Sequence, residues 1–162
     1  MSWDVVLLDA PDVRSADDIA ADTDIRPIKR SAVIEAVSGL FPGSADFSDT
    51  SWGRVDGDGW SIEVNIGDDE MRPSIMLHVR GAGDPVPAIL QIAGALQLRA
   101  LDCSTGDFLS AEQPEKASFE RWQAYRDQVV GRHETACGRA CGVGFFGEID
   151  RASIAALTMA SD

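Results

Sequence analysis

The amino-acid sequence predicts an α+β fold, a two-layer sandwich in which a mostly antiparallel sheet of four to five strands carries helices on one face. Apolar and polar residues alternate over Trp60–Ile66 and over Ser74–Arg80, which is the pattern of strands with one buried face. Apolar residues recur at helical spacing over 33–41 and over 86–96, which predicts amphipathic helices. With 162 residues, 44% of them hydrophobic, the chain can bury the core of one domain.

The first part of the chain contains one predicted strand and one predicted helix. Trp3–Leu8 is a nearly continuous apolar run, which indicates a strand buried on both faces or at the centre of the sheet. Residues 10–30 are acidic and broken by prolines, so they are predicted to form a loop with one helical turn near Ala16–Ala21. The helical pattern over 33–41 follows and ends at Pro42-Gly43, which gives about three turns.

Three strands are predicted next. The turn Asp56-Gly57-Asp58-Gly59 separates Trp52–Val55 from Trp60–Ile66, and its glycines tolerate positive φ. The two segments are therefore predicted to form a β-hairpin. The third strand covers Ser74–Arg80, and its alternation continues the apolar and polar sides of the hairpin.

Gly81-Ala82-Gly83 follows the third strand and raises the question of a phosphate loop. Asp84 is a suitable N-cap and Pro85 suits the first helical position, so the helix over 86–96 begins directly after the glycines. A phosphate at this helix end would meet the Asp84 carboxylate, and the segment lacks a Walker lysine. The segment is therefore predicted to be a strand-to-helix turn.

The remaining elements complete one domain. The stretch LRALDCSTGDF, residues 98–108, predicts a short strand and a turn, and Pro114 opens a third helix. The predicted order is β-α-β-β-β-α-β-α, which is compatible with a ferredoxin-like arrangement. These elements are assigned to a single α+β domain, residues 1–130. Residues 131–162 are rich in Gly and Ala and weakly patterned, so they are predicted to be a mobile or loosely docked appendage.

The formal net charge of −13 is concentrated in two segments. Residues 1–24 hold seven acids against one base, and residues 46–70 hold eight acids against one base. Such a field repels nucleic acids and anionic membranes, and it attracts basic partners at enhanced rates. The solubility of an acidic protein explains the same charge without any partner.

The cellular compartment is predicted from the lack of a membrane-spanning segment or signal peptide and from the number of cysteines. No run of about 18 apolar residues could span a bilayer, and the N-terminal segment carries Asp4 where a signal peptide would carry positive charge. The three cysteines, an odd number, fit reduced thiols better than a disulfide framework. We therefore expect a cytoplasmic protein that does not bind membranes.

Two motifs near the C-terminus have the spacing of cofactor sites but lack the partners that such sites need. His133, Cys137 and Cys141 would share one helix face, but a structural zinc site needs a fourth ligand and the sequence supplies no second pair. Gly142–Gly147 matches G-x-G-x-x-G, but no strand precedes it and too few residues follow for a ribose-binding acid. We expect neither a metal nor a cofactor.

Cys103 is the candidate nucleophile, with His78 as its candidate base. A thiolate nucleophile also needs an oxyanion donor and a pocket, and the sequence shows neither. A strand cysteine more commonly behaves as a small buried apolar side chain. A small cysteine-dependent enzyme that uses Cys103 and His78 is therefore the alternative function.

The polar side of the predicted sheet is the candidate binding surface. If the connection between Ile66 and Ile75 is symmetric, Glu63 lies opposite His78 and Ser61 lies opposite Arg80. Ordinary cross-strand ion pairs on a solvated face explain the same pattern without a ligand. The residues predicted to bind a partner lie on this side or in the acidic turns around it: Glu63, Asn65, His78, Arg80, Asp56, Asp58, Asp68 and Asp69.

Four stretches carry a resemblance to known proteins: MSWDVVLLD, FSDTSWGRVDGDGWSIEVNIG, SIMLHVRGAGDP and LRALDCSTGDF. Together they resemble a widespread group of small, mostly uncharacterised bacterial cytoplasmic proteins, over roughly residues 1–110. The resemblance implies a one-domain α+β binder, and an immunity protein of a toxin system as its specific form. It supplies no catalytic residues.

The sequence therefore predicts a non-enzymatic acidic binding module for a basic protein partner, such as an immunity-type protein that neutralises a basic toxin. Two observations favour this function over the cysteine-dependent enzyme: the net charge of −13, and the lack of a complete set of catalytic residues around Cys103 and His78.

Overall fold

The computed structural model describes residues 2–11, 13–20, 23–110 and 119–128. The strands are β1 (Trp3–Leu8), β2 (Ile28–Lys29), β3 (Ala45–Asp46), β4 (Trp52–Gly57), β5 (Trp60–Asn65), β6 (Met71–Arg72), β7 (Ser74–Gly81) and β8 (Arg99–Asp102). The helices are α1 (Arg30–Leu40) and α2 (Val86–Leu96), residues Ala16–Asp18 form a 3-10 turn, and residues 119–128 are also helical.

The described residues form an α+β fold with a six-stranded sheet in the order β3-β4-β5-β7-β1-β8, in which every neighbouring pair is antiparallel. The predicted class and the mostly antiparallel sheet are confirmed. The predicted number of four to five strands is wrong, because Ala45–Asp46 adds a sixth strand beside β4. A two-residue strand is too short to show alternation in the sequence. The ferredoxin-like arrangement stays a prediction.

One face of the sheet, which we call the inner face, packs against α1 and α2. Val33 and Val37 of α1 and Ile89 and Ile92 of α2 are fully buried in the same cluster as the sheet residues. The sheet contributes the apolar members of its alternating strands: Trp3, Val5, Leu7, Val55, Ile62, Val64, Ile75, Leu77 and Val79. Their burial supplies the dominant stabilisation of the fold.

Strand β1 lies between β7 and β8 and differs in part from its prediction. Its residues Trp3, Val5 and Leu7 are fully buried on the inner face, as a buried strand requires. On the opposite face, which we call the outer face, Asp4 and Val6 are only half-buried. Burial on both faces is therefore limited to the end of the strand, where Leu8 packs in a second small cluster with Ala10, Val13 and Leu101.

The turn Gly81-Ala82-Gly83 joins β7 to α2, as predicted. The Gly59 carbonyl accepts hydrogen bonds from Ala82 N at 2.7 Å and from Gly83 N at 2.9 Å, so these amides already have partners inside the protein. The prediction that Asp84 is the N-cap is wrong, because Pro85 holds that position. The Asp84 carboxylate still accepts a hydrogen bond from Val86 N, the first helical amide, at 3.1 Å. The helix begins at Val86 rather than at Pro85, a difference of one residue.

None of the helices in the described part of the chain is both long enough and apolar enough to cross a membrane. The predicted domain limit at residue 130 and the appendage 131–162 lie outside the described residues, and both stay predictions.

Candidate functional site

The outer face of the sheet is open to solvent along β4, β5 and β7. Trp52 on β4 is 41% exposed, and the Arg80 side chain on β7 is 50% exposed. The described residues of the N-terminal loop pack on this face only beside β1 and β8, around Leu8 and Leu101. The polar members of three neighbouring strands therefore form an accessible surface.

The strand register places polar residues side by side across this face. Glu63 lies opposite His78 and Ser61 lies opposite Arg80, so the predicted register is confirmed. The pairing extends the row in both directions, because Asp4 of β1 lies opposite His78 and Arg54 of β4 lies opposite Glu63. Asp46 of β3 lies opposite Arg54. The row runs Asp46, Arg54, Glu63, His78, Asp4.

The arginines that β4 and β7 present on this face form ion pairs with carboxylates of the chain itself. The Arg80 Nε lies 3.2 Å from Glu63, and Arg54 lies 2.8 Å from Asp56 on its own strand. Exposed pairs of this kind contribute little to stability. Their consequence here is that Arg54 and Arg80 are already neutralised within the chain.

His78 is held between a carboxylate and an aromatic ring. Its Nδ1 lies 2.8 Å from Asp4 Oδ1, and its imidazole stacks on the Trp52 indole with ring centroids 5.6 Å apart and an interplanar angle of 14°. The contact at Nδ1 fixes the orientation of the ring and directs Nε2 away from Asp4. Trp52 reaches across β5 to make this stack, so its indole lies over the centre of the row.

Two carboxylates lie just before β4 in the chain, Asp46 at the end of β3 and Asp49 in the loop that follows it. Asp46 accepts a hydrogen bond from Ser48 N at 2.8 Å, and Asp49 accepts hydrogen bonds from Ser51 N and Oγ at 2.8 and 2.7 Å. The backbone N–H of Ser48 lowers the pKa of Asp46, and the Ser51 hydroxyl lowers the pKa of Asp49. Both side chains therefore stay negatively charged at neutral pH.

We call Trp52, the polar side chains of the row and their neighbours the outer-face patch. Its members are Asp4, Asp46, Asp49, Trp52, Arg54, Asp56, Glu63, Asn65, His78 and Arg80. Five of the predicted partner-binding residues belong to it: Asp56, Glu63, Asn65, His78 and Arg80.

The other three predicted partner-binding residues lie at the two ends of β5. Asp58 is in the turn between β4 and β5, whereas Asp68 and Asp69 follow the opposite end of that strand. The length of β5 separates the two positions by roughly 20 Å. Asp69 forms an ion pair with Arg72 at 2.7 Å. These acids form a rim around the patch rather than one cluster with it.

The alternative catalytic pair, Cys103 and His78, is not brought together. Cys103 N donates a hydrogen bond to Asp4 O at 3.1 Å, and Asp4 in turn lies opposite His78. Two strand spacings, roughly 9–10 Å, therefore separate Cys103 from His78. Cys103 follows the end of β8 and is exposed, so the expectation of a buried strand cysteine is wrong. Partial removal of the thiol from water still raises its pKa, and the negative charges of Asp4 and Asp102 raise it further. A nucleophilic thiolate requires a lowered pKa.

We expect Cys103 to react slowly with iodoacetamide. The raised pKa reduces the thiolate fraction at neutral pH, so the alkylation rate should be several-fold below that of a cysteine in an unfolded peptide and should rise with pH. Mass spectrometry of the Cys103 peptide after timed alkylation measures this rate. Asp4→Asn removes one of the charges and should increase it. A rate above that of the free peptide would instead support the enzyme.

No group of three metal-ligating side chains occurs within the described ranges. His133, Cys137 and Cys141, and the glycine string Gly142–Gly147, lie outside those ranges, and the expectation that they hold neither a metal nor a cofactor stays a prediction.

Five members of the outer-face patch were not predicted as site residues: Asp4, Asp46, Asp49, Trp52 and Arg54. The signal for Trp52 is present in the sequence, because it shares the alternation phase of Arg54 and Asp56 while Gly53 and Val55 occupy the buried phase. A large aromatic residue in the polar phase of a strand indicates a contact surface. The proximity of Asp4 to His78 depends on the pairing of β1 with β7, which alternation alone does not reveal.

Comparisons with protein-family models, with curated proteins and with solved structures found no match to this chain.

Proposed function

We propose that this protein is a non-enzymatic acidic binding module that binds a basic protein partner through the outer-face patch. The observation that carries this proposal is the exposed Trp52 indole, stacked on His78 at the centre of a polar row. Tryptophan is enriched among the residues that dominate binding energy, and such residues lie near the centre of an interface with a polar rim.

The charge distribution supports a basic partner. The chain has a formal net charge of −13, and the arginines of the patch already pair with Glu63 and Asp56. Asp46 at the end of β3 and Asp49 in the loop after it add negative charge at the β4 side of the patch. A positively charged surface would therefore be drawn to this face and aligned by its acidic rim.

The shape of the face supports a macromolecular partner. Small-molecule sites are concave and enclose most of their ligand. The patch instead spreads over five neighbouring strands of an open sheet. Neutralisation of a basic toxin, the role of an immunity protein, is the form of this function that the sequence resemblance implies.

The alternative function is the small cysteine-dependent enzyme. It has less support, because Asp4 lies between Cys103 and His78 and the pKa of the thiol is raised. Cys103→Ser should accordingly leave partner binding intact.

The central role of Trp52 is tested with a partner captured from the host, identified by mass spectrometry and purified. Trp52→Ala should weaken its binding at least about tenfold, because an interface centre loses its aromatic anchor. Tyr125→Ala is the matched control, since Tyr125 is 57% exposed and lies in the helical segment 119–128. Equal affinities of the two variants for the captured protein would contradict the proposed function.

The rim acids should act on the association rate. Raising the ionic strength from about 0.01 M to about 0.1 M shortens the Debye length from about 30 Å to about 10 Å. Association measured by stopped flow should slow with that change, and the double variant Asp58→Lys, Asp68→Lys should reduce the rate further while changing dissociation little. An association rate that is independent of salt would show that electrostatic attraction by the rim acids does not guide the partner to this face.

A further inference from the structure

We propose that a cavity between α2, the edge strand β8 and residues 107–110 binds a small carboxylate with an apolar body, and that the Arg99 guanidinium receives the carboxylate group. This site is additional to the outer-face patch and does not depend on the proposed function. Its strand β8 lies four strand spacings, roughly 19 Å, from the strand β4 that carries Trp52.

The cavity forms where the chain that follows β8 turns back along this strand. Asp102 N donates a hydrogen bond to Asp107 O at 2.9 Å and Leu109 N donates one to Ala100 O at 2.8 Å, so residues 107–109 run beside β8. Helix α2 contributes Leu90 to the lining. The volume is about 620 Å³, within the range of roughly 300–1,000 Å³ that is typical of small-molecule sites.

Arg99 is held at the wall of this cavity by three contacts. Its Nη1 donates hydrogen bonds to Ala10 O at 2.9 Å and to Val13 O, and its guanidinium carbon lies 3.6 Å from the centre of the Phe108 ring. Phe108 lines the cavity, and so does Arg14, the residue after Val13. These neighbours place the guanidinium beside the cavity. A group that is already ordered loses less entropy when it binds an anion.

The remaining donors of Arg99 have no acceptor among the described residues. Nη1 uses its two hydrogens on the two carbonyl groups, which leaves Nε and Nη2. These two nitrogens form the fork that matches the two oxygens of a carboxylate. Arg99 also forms no ion pair within the described ranges. Other arginines of the chain each pair with an Asp or Glu side chain: Arg26, Arg30, Arg54, Arg72 and Arg80.

The charge of the lining suits one negative charge. Arg14 is exposed and, like Arg99, forms no ion pair in the part of the chain that the structure describes. Asp107 also lines the cavity, so two arginines against one carboxylate leave one positive charge. A dianion such as phosphate would be repelled more strongly by Asp107 than a monoanion. Leu90 and Leu98 supply contact for an apolar body, which inorganic anions lack.

The probe for this site is hexanoate, with hexanamide as its uncharged match. The methyl signals of Leu90 and Leu98 in two-dimensional NMR should shift and saturate with hexanoate. Hexanamide should bind at least about tenfold more weakly, because hydrogen bonds to a charged acceptor are the stronger ones. Acetate should also bind several-fold more weakly than hexanoate, since it has almost no apolar surface to bury.

A glycine pair tests where the probe binds. Gly94 lines the cavity, and nothing lies within 4 Å of a Cβ atom added there, so Gly94→Leu places a side chain in the open space. This variant should abolish saturable binding. Gly39→Leu is the matched control, because Gly39 has the same free space on α1 and does not line the cavity. It should bind hexanoate as the wild type does.

An arginine pair tests the charge. Arg14→Gln should weaken hexanoate several-fold. Arg26→Gln removes the same charge from an exposed arginine that pairs with Asp9 and does not line the cavity, so it should change binding little. Thermal melting checks that each variant is folded, and this second pair decides if Gly94→Leu is not.

Three results would overturn the inference: no saturable binding of hexanoate, equal binding of hexanoate and hexanamide, or equal effects of the two members of the arginine pair. Folded Gly94→Leu that binds hexanoate as well as Gly39→Leu would show that the probe binds elsewhere. Inorganic phosphate that binds as tightly as hexanoate would overturn the choice of a carboxylate with an apolar body.

Discussion

Val64→Asp should unfold the protein or lower its free energy of unfolding by about 4 kcal/mol or more. Val64 lies on the inner face of β5 with no exposed surface, in the cluster that includes Val33 and Ile92. A carboxylate at this position would be surrounded by apolar side chains without a cation or a hydrogen-bond donor. Because the free energy of unfolding of a small domain is only about 5–15 kcal/mol, such a loss removes a large part of it. Urea denaturation followed by circular dichroism measures it.

Asn65→Asp is the matched control for this prediction. It introduces the same carboxyl group one residue further along β5, on the half-buried outer face opposite Trp52 and Met76. Solvent can hydrate the charge there, so the change should stay within about 0.5 kcal/mol. Similar denaturation midpoints for the two variants would mean that the faces of β5 are assigned the wrong way round.

The sheet faces could be predicted because alternation is a local property of each strand. Ile62 and Val64 fall in one phase and Glu63 in the other, and a shift of one residue would move every side chain to the wrong face. The pairing of Glu63 with His78 followed from the connection between β5 and β7, in which equal steps away from the turn bring residues opposite each other. Local pattern and a short connection were therefore sufficient for this part of the site.

The ion pairs of the patch could not be predicted in the same way. The sequence placed acid, imidazole and guanidinium together, but Glu63 pairs with Arg80 and His78 pairs with Asp4. The second pair depends on β1 lying beside β7, a contact between residues 74 positions apart. The packing of the whole sheet decides which strands pair when they are so distant in sequence.

Trp52 was missed for a different reason. Its side chain reaches across the intervening strand β5 to stack on His78, and this contact is what gives Trp52 its place in the patch.

The contact between the β4–β5 turn and the end of β7 explains the glycine at position 81, in the segment that resembles a phosphate loop. Gly81 has φ of +102°, a region that other residues rarely adopt. A Cβ atom at this position would lie 2.3 Å from Gly59 O and 2.7 Å from the Cα of Trp60. Both of these are backbone atoms, which cannot rotate away as the end of a side chain can. The glycine therefore permits the turn between β4 and β5 to touch the end of β7.

Gly81→Ala should consequently lower the free energy of unfolding by about 3 kcal/mol or more. The positive φ costs about 1–2 kcal/mol. The overlap with Gly59 also forces the turn to move, which weakens the two hydrogen bonds that Gly59 O accepts from Ala82 N and Gly83 N, worth about 1 kcal/mol each.

Gly94→Ala is the control, because Gly94 lies in α2 with nothing within 4 Å of the added methyl group. Alanine is favoured over glycine inside a helix, so this variant should gain about 0.5–1 kcal/mol. Thermal melts of the two variants should shift in opposite directions. A Gly81→Ala protein as stable as the wild type would show that the hairpin turn does not rest on the Gly81 backbone.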